Sequence, residues 1–515
     1  MKIELINSTF RNLIVENSSL SSYLVNLNRG RPATPRSWLY EDQSAEDVLA
    51  KWTKILVQAN SKSPFADEFN QFDLKQVEKF GPQGHVPPIS DPKAQEVIER
   101  LFISDEYDDS EALSRYFTSA HEFAKVLFGQ RLCTKRPISF DQVKDDMLER
   151  DTLSTNSGFP RFIRRKRAWK EEVQDAMSGK AFEYPAIILF RQYNGKLRPV
   201  WMYPMSMNLL EFTFTQPIQR ALRNSPTARV RQYLSPWEGY ETVKATLTQQ
   251  WKNQVIVGGD TDTMDAHMKP AQMRLVYEIV KRLFQKKYWD QLWKIMARVN
   301  SIPLLISPTE MVVGTHGLAS GAGWTQLSET VLQLFMAWYA STYGQGIGDD
   351  LIWLINWDDK QIVDYLGQFG LPANAKKQWI SSVSTHFLQR MNHQGFFSRD
   401  NPAVLGGYYP TVRALNSLLN PEKYHSPKQW NKYMFCVRTY MILENCIDDP
   451  CFDEFLKFVV KGQSDLIPFA KMQPELIDKY QRQARLIPGL NPSYNQEKLT
   501  KPLSSFTSIK LAKQM

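Results

Sequence analysis

Two acidic clusters, each beside a short apolar stretch, constrain this chain more than any other feature. Val255 to Gly259 runs into Asp260-Thr261-Asp262-Thr263-Met264-Asp265, and Gly346-Ile347-Gly348-Asp349-Asp350 runs into Leu351 to Ile355. Each apolar stretch reads as a short buried strand, the second fed by a tight glycine turn. If the two strands are neighbours in one sheet, Asp260 and Asp349 meet at its edge. Carboxylates brought that close must share a proton or hold divalent cations. A Gly-Asp-Asp alone is more often a plain surface turn. What lifts it above that is upstream, where Ser320-Gly321-Ala322-Gly323-Trp324-Thr325 sets a hydroxyl and two glycines before an apolar helix spanning about 325 to 341. Glycine lets backbone amides approach a ribose or phosphate closely.

Composition narrows the partners. The 515 residues carry 63 Lys and Arg against 54 Asp and Glu, a net +9, which favours a polyanion. With 43% hydrophobic residues and 12% aromatics, extensive disorder is excluded and about three lobes are expected. Cys133, Cys436, Cys446 and Cys451 form no disulfide framework and no paired zinc motif, so a reducing compartment is expected. Glu4 and Arg11 interrupt what a signal peptide would need, and the uncharged run Thr330 to Gly348 is too broken by polar residues and glycines to span a bilayer.

Along the chain, Arg29 to Arg36 is Pro- and Arg-rich and reads as extended, with an acidic stretch from Asp105 to Glu111 beyond it. The densest positive run, Arg161 to Lys170, holds six basic residues and no acid. Ala271 to Tyr288 reads as one amphipathic helix with Leu275, Ile279 and Leu283 inward and Arg274, Lys281 and Arg282 outward. From about Asn401 the chain reads as mostly helical. Its lysine-rich end (Lys498, Lys501, Lys510, Lys513) is expected to be mobile or docked on phosphate. The histidines, including His267 and His316, lack a partner at ligand spacing and are expected to pack or hydrogen-bond.

The order Asp260 to Asp265, Ser320-Gly321 to Thr325, and Gly348-Asp349-Asp350 resembles motifs A, B and C of viral RNA-dependent RNA polymerases. Thr155 to Pro160 is similar to motif G and Arg191 to Val200 to motif F. Leu371 to Lys377 is similar to motif D, and Phe387 to Arg390 to motif E. The wording DTDTMD and SGAGWTQ looks most like the double-stranded RNA viruses of the picobirnavirus and partitivirus kind. The resemblance implies an α+β right hand of fingers, palm and thumb, with an antiparallel palm sheet flanked by helices and a mostly helical thumb. It divides the chain into an N-terminal extension bridging fingers and thumb (1–120), fingers (121–254), palm (255–270), a fingers/palm insertion (271–315), palm (316–400), and thumb with tail (401–515).

The same resemblance assigns roles. Asp260, Asp349 and Asp350 are implied as catalytic, holding two Mg2+ ions, or Mn2+ in their place, with the Thr261 carbonyl completing the shell. Asp265, Ser320, Gly321 and Thr325 are implied at the nucleotide. Arg191, Lys196 and Arg198 are implied at its triphosphate, and Lys376 or Lys377 as general acid for pyrophosphate. Template RNA is implied at Ser157, Gly158 and Arg390, while the basic run itself offers Arg164, Arg165, Arg167 and Trp169 as a backbone track with one ring to stack. Glu329 departs from the pattern, standing where many such enzymes carry asparagine; an ionised glutamate can only accept hydrogen bonds.

The implied function is template-directed nucleotidyl transfer that replicates and transcribes a viral RNA genome. The partners would be RNA, ribonucleoside triphosphates and a capsid protein, with no membrane, for a monomer in the virion interior and host cytoplasm. Two other readings compete. A reverse transcriptase-like palm polymerase is disfavoured because it usually has Tyr-x-Asp-Asp where this chain has Gly-Asp-Asp. A non-enzymatic, capsid-associated RNA binder would explain the charge but would be weakened by carboxylates inside its basic surface.

Overall fold

A computed structural model describes residues 1–102, 113–259, 261, 263–490 and 501–515. Asp260, Asp262, Lys498 and the acidic stretch from Asp105 to Glu111 lie outside the described residues. The two strands expected beside the acidic clusters do pair. Ile256–Gly259 lies antiparallel to Asp350–Leu354, with Gly259 opposite Leu351. The four-stranded sheet runs in the order Gly344–Ile347, Asp350–Leu354, Ile256–Gly259, Trp379–Ser381. Ile256, Val257, Ile352 and Trp353 are fully buried, so the sheet centre has apolar packing on both faces and its register is fixed by burial. Its hairpin closes through Gly348 and Asp349, because Ile347 pairs with Asp350. Gly348 has φ +59°, which the primed two-residue turns demand and glycine supplies at little cost.

A five-stranded sheet unites distant parts of the chain in the order Lys2–Leu5, Glu310–Val313, Leu304–Leu305, Ala186–Tyr193, Lys196–Met202. The hairpin Ala186–Tyr193/Lys196–Met202 brings Arg191 opposite Arg198. A large core spans residues from Val86 to Leu371. A second core joins Leu39 to Phe69 with helices from Met391 onward. Ile6 to Leu24 pack in a third, smaller cluster with Phe159, Tyr184, Ile187 and Leu305, so the N-terminal residues are divided among three cores. Trp52 Nε1 donates to Thr411 Oγ1 at 2.8 Å, and the buried Asp73 carboxylate accepts from the amides of Thr411 and Val412 at 2.8 Å each. Asp73 thus serves as a remote N-cap for the helix Thr411–Leu419, satisfying amides that the helix leaves unpaired. Among the described residues, no helix is long and apolar enough to cross a membrane, and the four cysteines are free thiols.

Two expectations need correction. The helix expected from 271 to 288 is Pro270–Val280, followed by short 3₁₀ turns and a separate helix Trp289–Ala297. The cause is a crossing segment: the amides of Cys133 and Lys135 take the carbonyls of Arg282 and Leu283 at 2.7 and 3.0 Å, which a continuing helix would have used internally. Lys281, expected outside, is buried. Its ammonium lies 2.6 Å from Glu278 and over the rings of Tyr277 and Trp289. The tail also behaves differently. Thr507–Lys513 is a helix that buries Ser508, Ile509 and Ala512 and docks on the Glu444 carboxylate, which accepts from the Thr507 and Ser508 amides at 3.0 and 2.9 Å. Periodicity in the tail was too short to show this.

Candidate active site

The tip of the central hairpin faces a cavity of about 1110 Å³. Asp349 is exposed there. The Gly348 amide beside it donates to Thr330 Oγ1 at 3.0 Å, pinning the turn to the helix Thr325–Tyr339. The cavity brings together Thr261, Asp265, Ser320, Asp349, Arg191, Lys196, Arg198 and Lys377, residues spread over nearly two hundred positions. Thr261 bridges to Ala373, and its buried hydroxyl has no hydrogen-bond partner among the described residues.

Glu329 lies on the helix just behind. It is buried, and its carboxyl is within hydrogen-bonding reach of Asp265. Burial first, then the charge of Asp265, push the Glu329 carboxyl well above the usual range, with Asp349 and Asp350 adding to the effect. Asp265 is also pushed up, by burial and by Asp349, but is pulled down by the Glu329 hydrogen bond and by Arg198. Of the two, Glu329 is pushed up further, so the proton favours Glu329, which then faces Asp265 as a donor. Two carboxyls that face each other out of water disfavour being ionised together. A glutamate at the asparagine position can thus supply a donor after all, because its surroundings favour the neutral form.

The donor set is all oxygen: exposed Asp349 and Asp350, the Thr261 backbone, and carboxyls crowded enough to raise one another's proton affinity. Hard divalent cations fit such a set. Among the described residues no cluster of three His, Cys, Asp or Glu has metal-binding spacing. Asp260 lies outside the described residues.

The basic residues sort into two kinds. Arg198 is exposed to the cavity, has no ion pair among the described residues, and lies over the Tyr193 ring at 5.1 Å. Lys196 is exposed beside it. Lys377 lines the cavity and Lys376 does not. Arg191 is spoken for: its Nε and Nη2 donate to the two carboxylate oxygens of Glu422 at 2.8 and 2.7 Å. Arg191 lines the cavity while fastening the hairpin to residue 422 by a bidentate pair.

The implied RNA contacts fare unevenly. Arg164 and Arg167 are exposed at the start of the helix Arg165–Ser178, with Lys166 and Lys170 beside them. Arg165 turns inward, donating to Asn208 Oδ1 at 2.8 Å and the Asn156 carbonyl at 3.2 Å. Trp169 is partly buried against the core, with Lys144 over its ring at 5.3 Å. Ser157 is fully buried and takes the Ile163 amide. Gly158 is buried with φ +72° against the Tyr203 carbonyl. Arg390 is buried, donating to the Asn445 carbonyl and to its Oδ1, between the rings of Tyr240 at 4.3 Å and Tyr409 at 5.0 Å. Ser157, Gly158 and Arg390 are thus buried rather than exposed, Arg165 is engaged by Asn208, and Trp169 is half-buried. A sequence shows that a residue is cationic or polar but not which way it points.

Thr325 donates its hydroxyl to the Ala319 carbonyl at 3.1 Å, closing the loop that holds Ser320. In that loop a Cβ on Gly321 would collide with the Trp201 carbonyl oxygen, so the glycine is required by the close approach itself. His316 packs on Trp201 and lies 2.8 and 3.0 Å from the carbonyls of Gly317 and Ile302, while His267 lies 3.1 Å from the Thr263 carbonyl; both pack or hydrogen-bond, as expected. What the sequence did not reveal is the wall contributed by residues 85–101. His85, Lys93 and Arg100 reach the cavity from the segment around the helix Pro92–Glu99. Its Asp91 cap and Pro92 mark a helix start but carry no hint of where that helix docks.

No family model matches the chain. One curated relative, described as a potential RNA-dependent RNA polymerase of human picobirnavirus (strain Human/Thailand/Hy005102/-), is 26% identical over 485 residues, covering 87% of this chain and 86% of the relative. The crystal structure of the RNA-dependent RNA polymerase of a human picobirnavirus superposes with TM-score 0.80 at 22% identity, covering 99% of this chain and all of that one. The insertion-loop deletion mutant of such an enzyme superposes with TM-score 0.76. The chain therefore resembles these viral enzymes over nearly its whole length, and its mixed helix and sheet fold is theirs.

Proposed function

We propose that this chain is a viral RNA-directed RNA polymerase, a nucleotidyltransferase of the picobirnavirus kind. The observation that carries the reading is the convergence of Asp349, Asp265, Ser320 and Arg198 on one cavity at the tip of the Gly344–Ile347/Asp350–Leu354 hairpin. The four-stranded sheet is read as the palm, the Ala186–Met202 hairpin as part of the fingers, and the helices beyond 401 as the thumb. Neither the reverse-transcriptase reading nor the non-enzymatic one has comparable support.

Two Mg2+ ions, held by Asp260, Asp349 and Asp350 with the Thr261 carbonyl, would activate the attacking 3′-hydroxyl and stabilise the leaving pyrophosphate. The protein's own part is positioning. Arg198 and Lys196 neutralise the triphosphate; the planar fork of Arg198 suits phosphate oxygens. Lys377, which lines the cavity where Lys376 does not, supports the reading in which it protonates pyrophosphate. Asp265, held by Glu329, and Ser320 present acceptor and hydroxyl to the ribose, where the 2′-OH distinguishes RNA from DNA. Arg164 and Arg167 line a track for the RNA backbone. The substrates are then template RNA and ribonucleoside triphosphates. A capsid partner, a monomeric state and a place in the virion and host cytoplasm complete the proposal.

The test is synthesis on a single-stranded RNA template with four ribonucleotides and Mg2+ or Mn2+. Absence of templated product from the wild-type protein would end the reading. Two variants probe the nucleotide site. Arg198→Ala is expected to raise the nucleotide KM by about tenfold or more, the value of a lost charge-assisted contact. A lowered melting temperature with normal KM would count against the triphosphate role. Glu329→Leu removes the donor to Asp265 and is expected to lower the preference for ribo- over deoxyribonucleotides by about tenfold, whereas Glu329→Asn, which can donate, keeps it. An unchanged preference in the Leu variant would place Glu329 outside the 2′-OH network.

A further inference from the structure

Behind the loop that carries Ser320 lies a fully buried carboxylate that the proposed chemistry does not use. Glu211, on the helix Met205–Arg223, accepts from the Gly323 amide at 2.7 Å and from Asn208 Nδ2 at 2.9 Å, both at Oε2. Asn208, one turn earlier on the same face, also donates to the Gly321 carbonyl at 3.2 Å. Its Oδ1 in turn accepts from Arg165 at 2.8 Å. Arg165 is fixed at its other side by the Asn156 carbonyl. On its opposite flank the loop meets the strand Lys196–Met202, where the Trp201 amide donates to Ser320 Oγ at 3.2 Å. That contact uses the oxygen of Ser320 and leaves its hydroxyl hydrogen to be offered into the cavity.

A buried polar chain of this kind is costly, the more so because Glu211 Oε1 has no hydrogen-bond partner among the described residues, and an apolar packing would ordinarily be as stable. Here its beneficiaries are specific. The Gly321 carbonyl and the Gly323 amide belong to a loop with no regular backbone pairing, and Glu211 and Asn208 are what satisfy them. The other end of the chain of bonds is the Asn156 loop, which resembles the template-entrance motif.

We propose that Arg165, Asn208 and Glu211 form a buried relay that holds the Ser320 loop in register with the Asn156 loop, which makes Glu211 a positioning residue for nucleotide selection. Burial pushes Glu211 up to about 8, the Gly323 hydrogen bond opposing the shift most, so the relay depends on the Oε2 acceptor rather than on a fixed negative charge. Either protonation state keeps that acceptor. A glutamine can do the same, with its carbonyl oxygen in the place of Oε2 and its amide in the place of the unpartnered Oε1. The relay rests on the polymerase reading for its consequence but not for its geometry.

The test uses the full chain with Glu211→Gln and Glu211→Leu. Well below the unfolding transition, Glu211→Leu is expected to raise the nucleotide KM about tenfold with a smaller change in kcat, and Glu211→Gln to stay within about threefold of wild type. Hydrogen exchange over residues 318–326 is expected to quicken in the Leu variant and not in the Gln variant, a readout that needs no activity. The proposal is overturned by a Leu variant with unaltered exchange in that segment, by one with wild-type KM and only a lower melting temperature, or by a Gln variant as impaired as Leu. If wild-type protein makes no templated product, it is the polymerase reading that fails, and exchange alone then decides the relay.

Discussion

In the Asp349→Asn protein, templated ribonucleotide incorporation is expected to fall by about three orders of magnitude or more, the rate equivalent of the several kcal/mol that metal assistance supplies. The fold should not notice. Asp349 is exposed at a hairpin tip whose geometry is set by Gly348 and by its hydrogen bond to Thr330, and neither needs the carboxylate. Asparagine preserves the size and one acceptor oxygen but loses the charge that holds a hard cation. The measurement is product formation on a defined template beside a thermal melt of the same sample. Full synthesis by Asp349→Asn would sink the assignment, and so would a melting temperature lowered enough to explain the loss.

The second large effect is on stability. Arg390→Ala is expected to cost on the order of 3 to 5 kcal/mol, because a desolvated guanidinium loses charged hydrogen bonds to Asn445 and its place between two tyrosine rings. For 515 residues unfolding together that corresponds to a drop of about 3 to 5 °C in the unfolding midpoint. RNA affinity measured well below that midpoint should stay at the wild-type level. The motif resemblance alone implies the reverse pattern, weaker RNA binding with stability intact. Observing that pattern would restore Arg390 to the RNA surface.

Arg390 and Arg198 show where legibility ends. Both stand in stretches that resemble polymerase motifs, and both are cations on or beside short strands. One is exposed above a nucleotide-sized cavity and the other is sealed under Tyr240 and Tyr409. The difference comes from residues far off in sequence. The helices beyond 401 and the segment around Asn445 cover the second hairpin, Ser384–Phe387/Arg390–His393, while the first opens toward the cavity. The six basic residues from Arg161 to Lys170 divide for the same reason. Arg161 pairs with Asp175 at 2.7 Å and Arg165 with Asn208, while Arg164 and Arg167 stay in solvent.

What the sequence determined alone was whatever depends on local periodicity and on the order of short motifs. The apolar strands beside the acidic clusters, the glycine turn before Asp349, the buried helix after Ser320 and the family resemblance follow from residues a few positions apart. The tertiary structure decided what depends on who stands opposite. Burial and a neighbouring Asp265 push the Glu329 carboxyl up, toward the neutral form that can donate. Glu422 pairs with Arg191 at the cavity wall, and Glu211 reaches across more than a hundred residues to the Gly323 amide. Charge state and orientation are properties of an environment, and distant segments assemble that environment only when the chain folds.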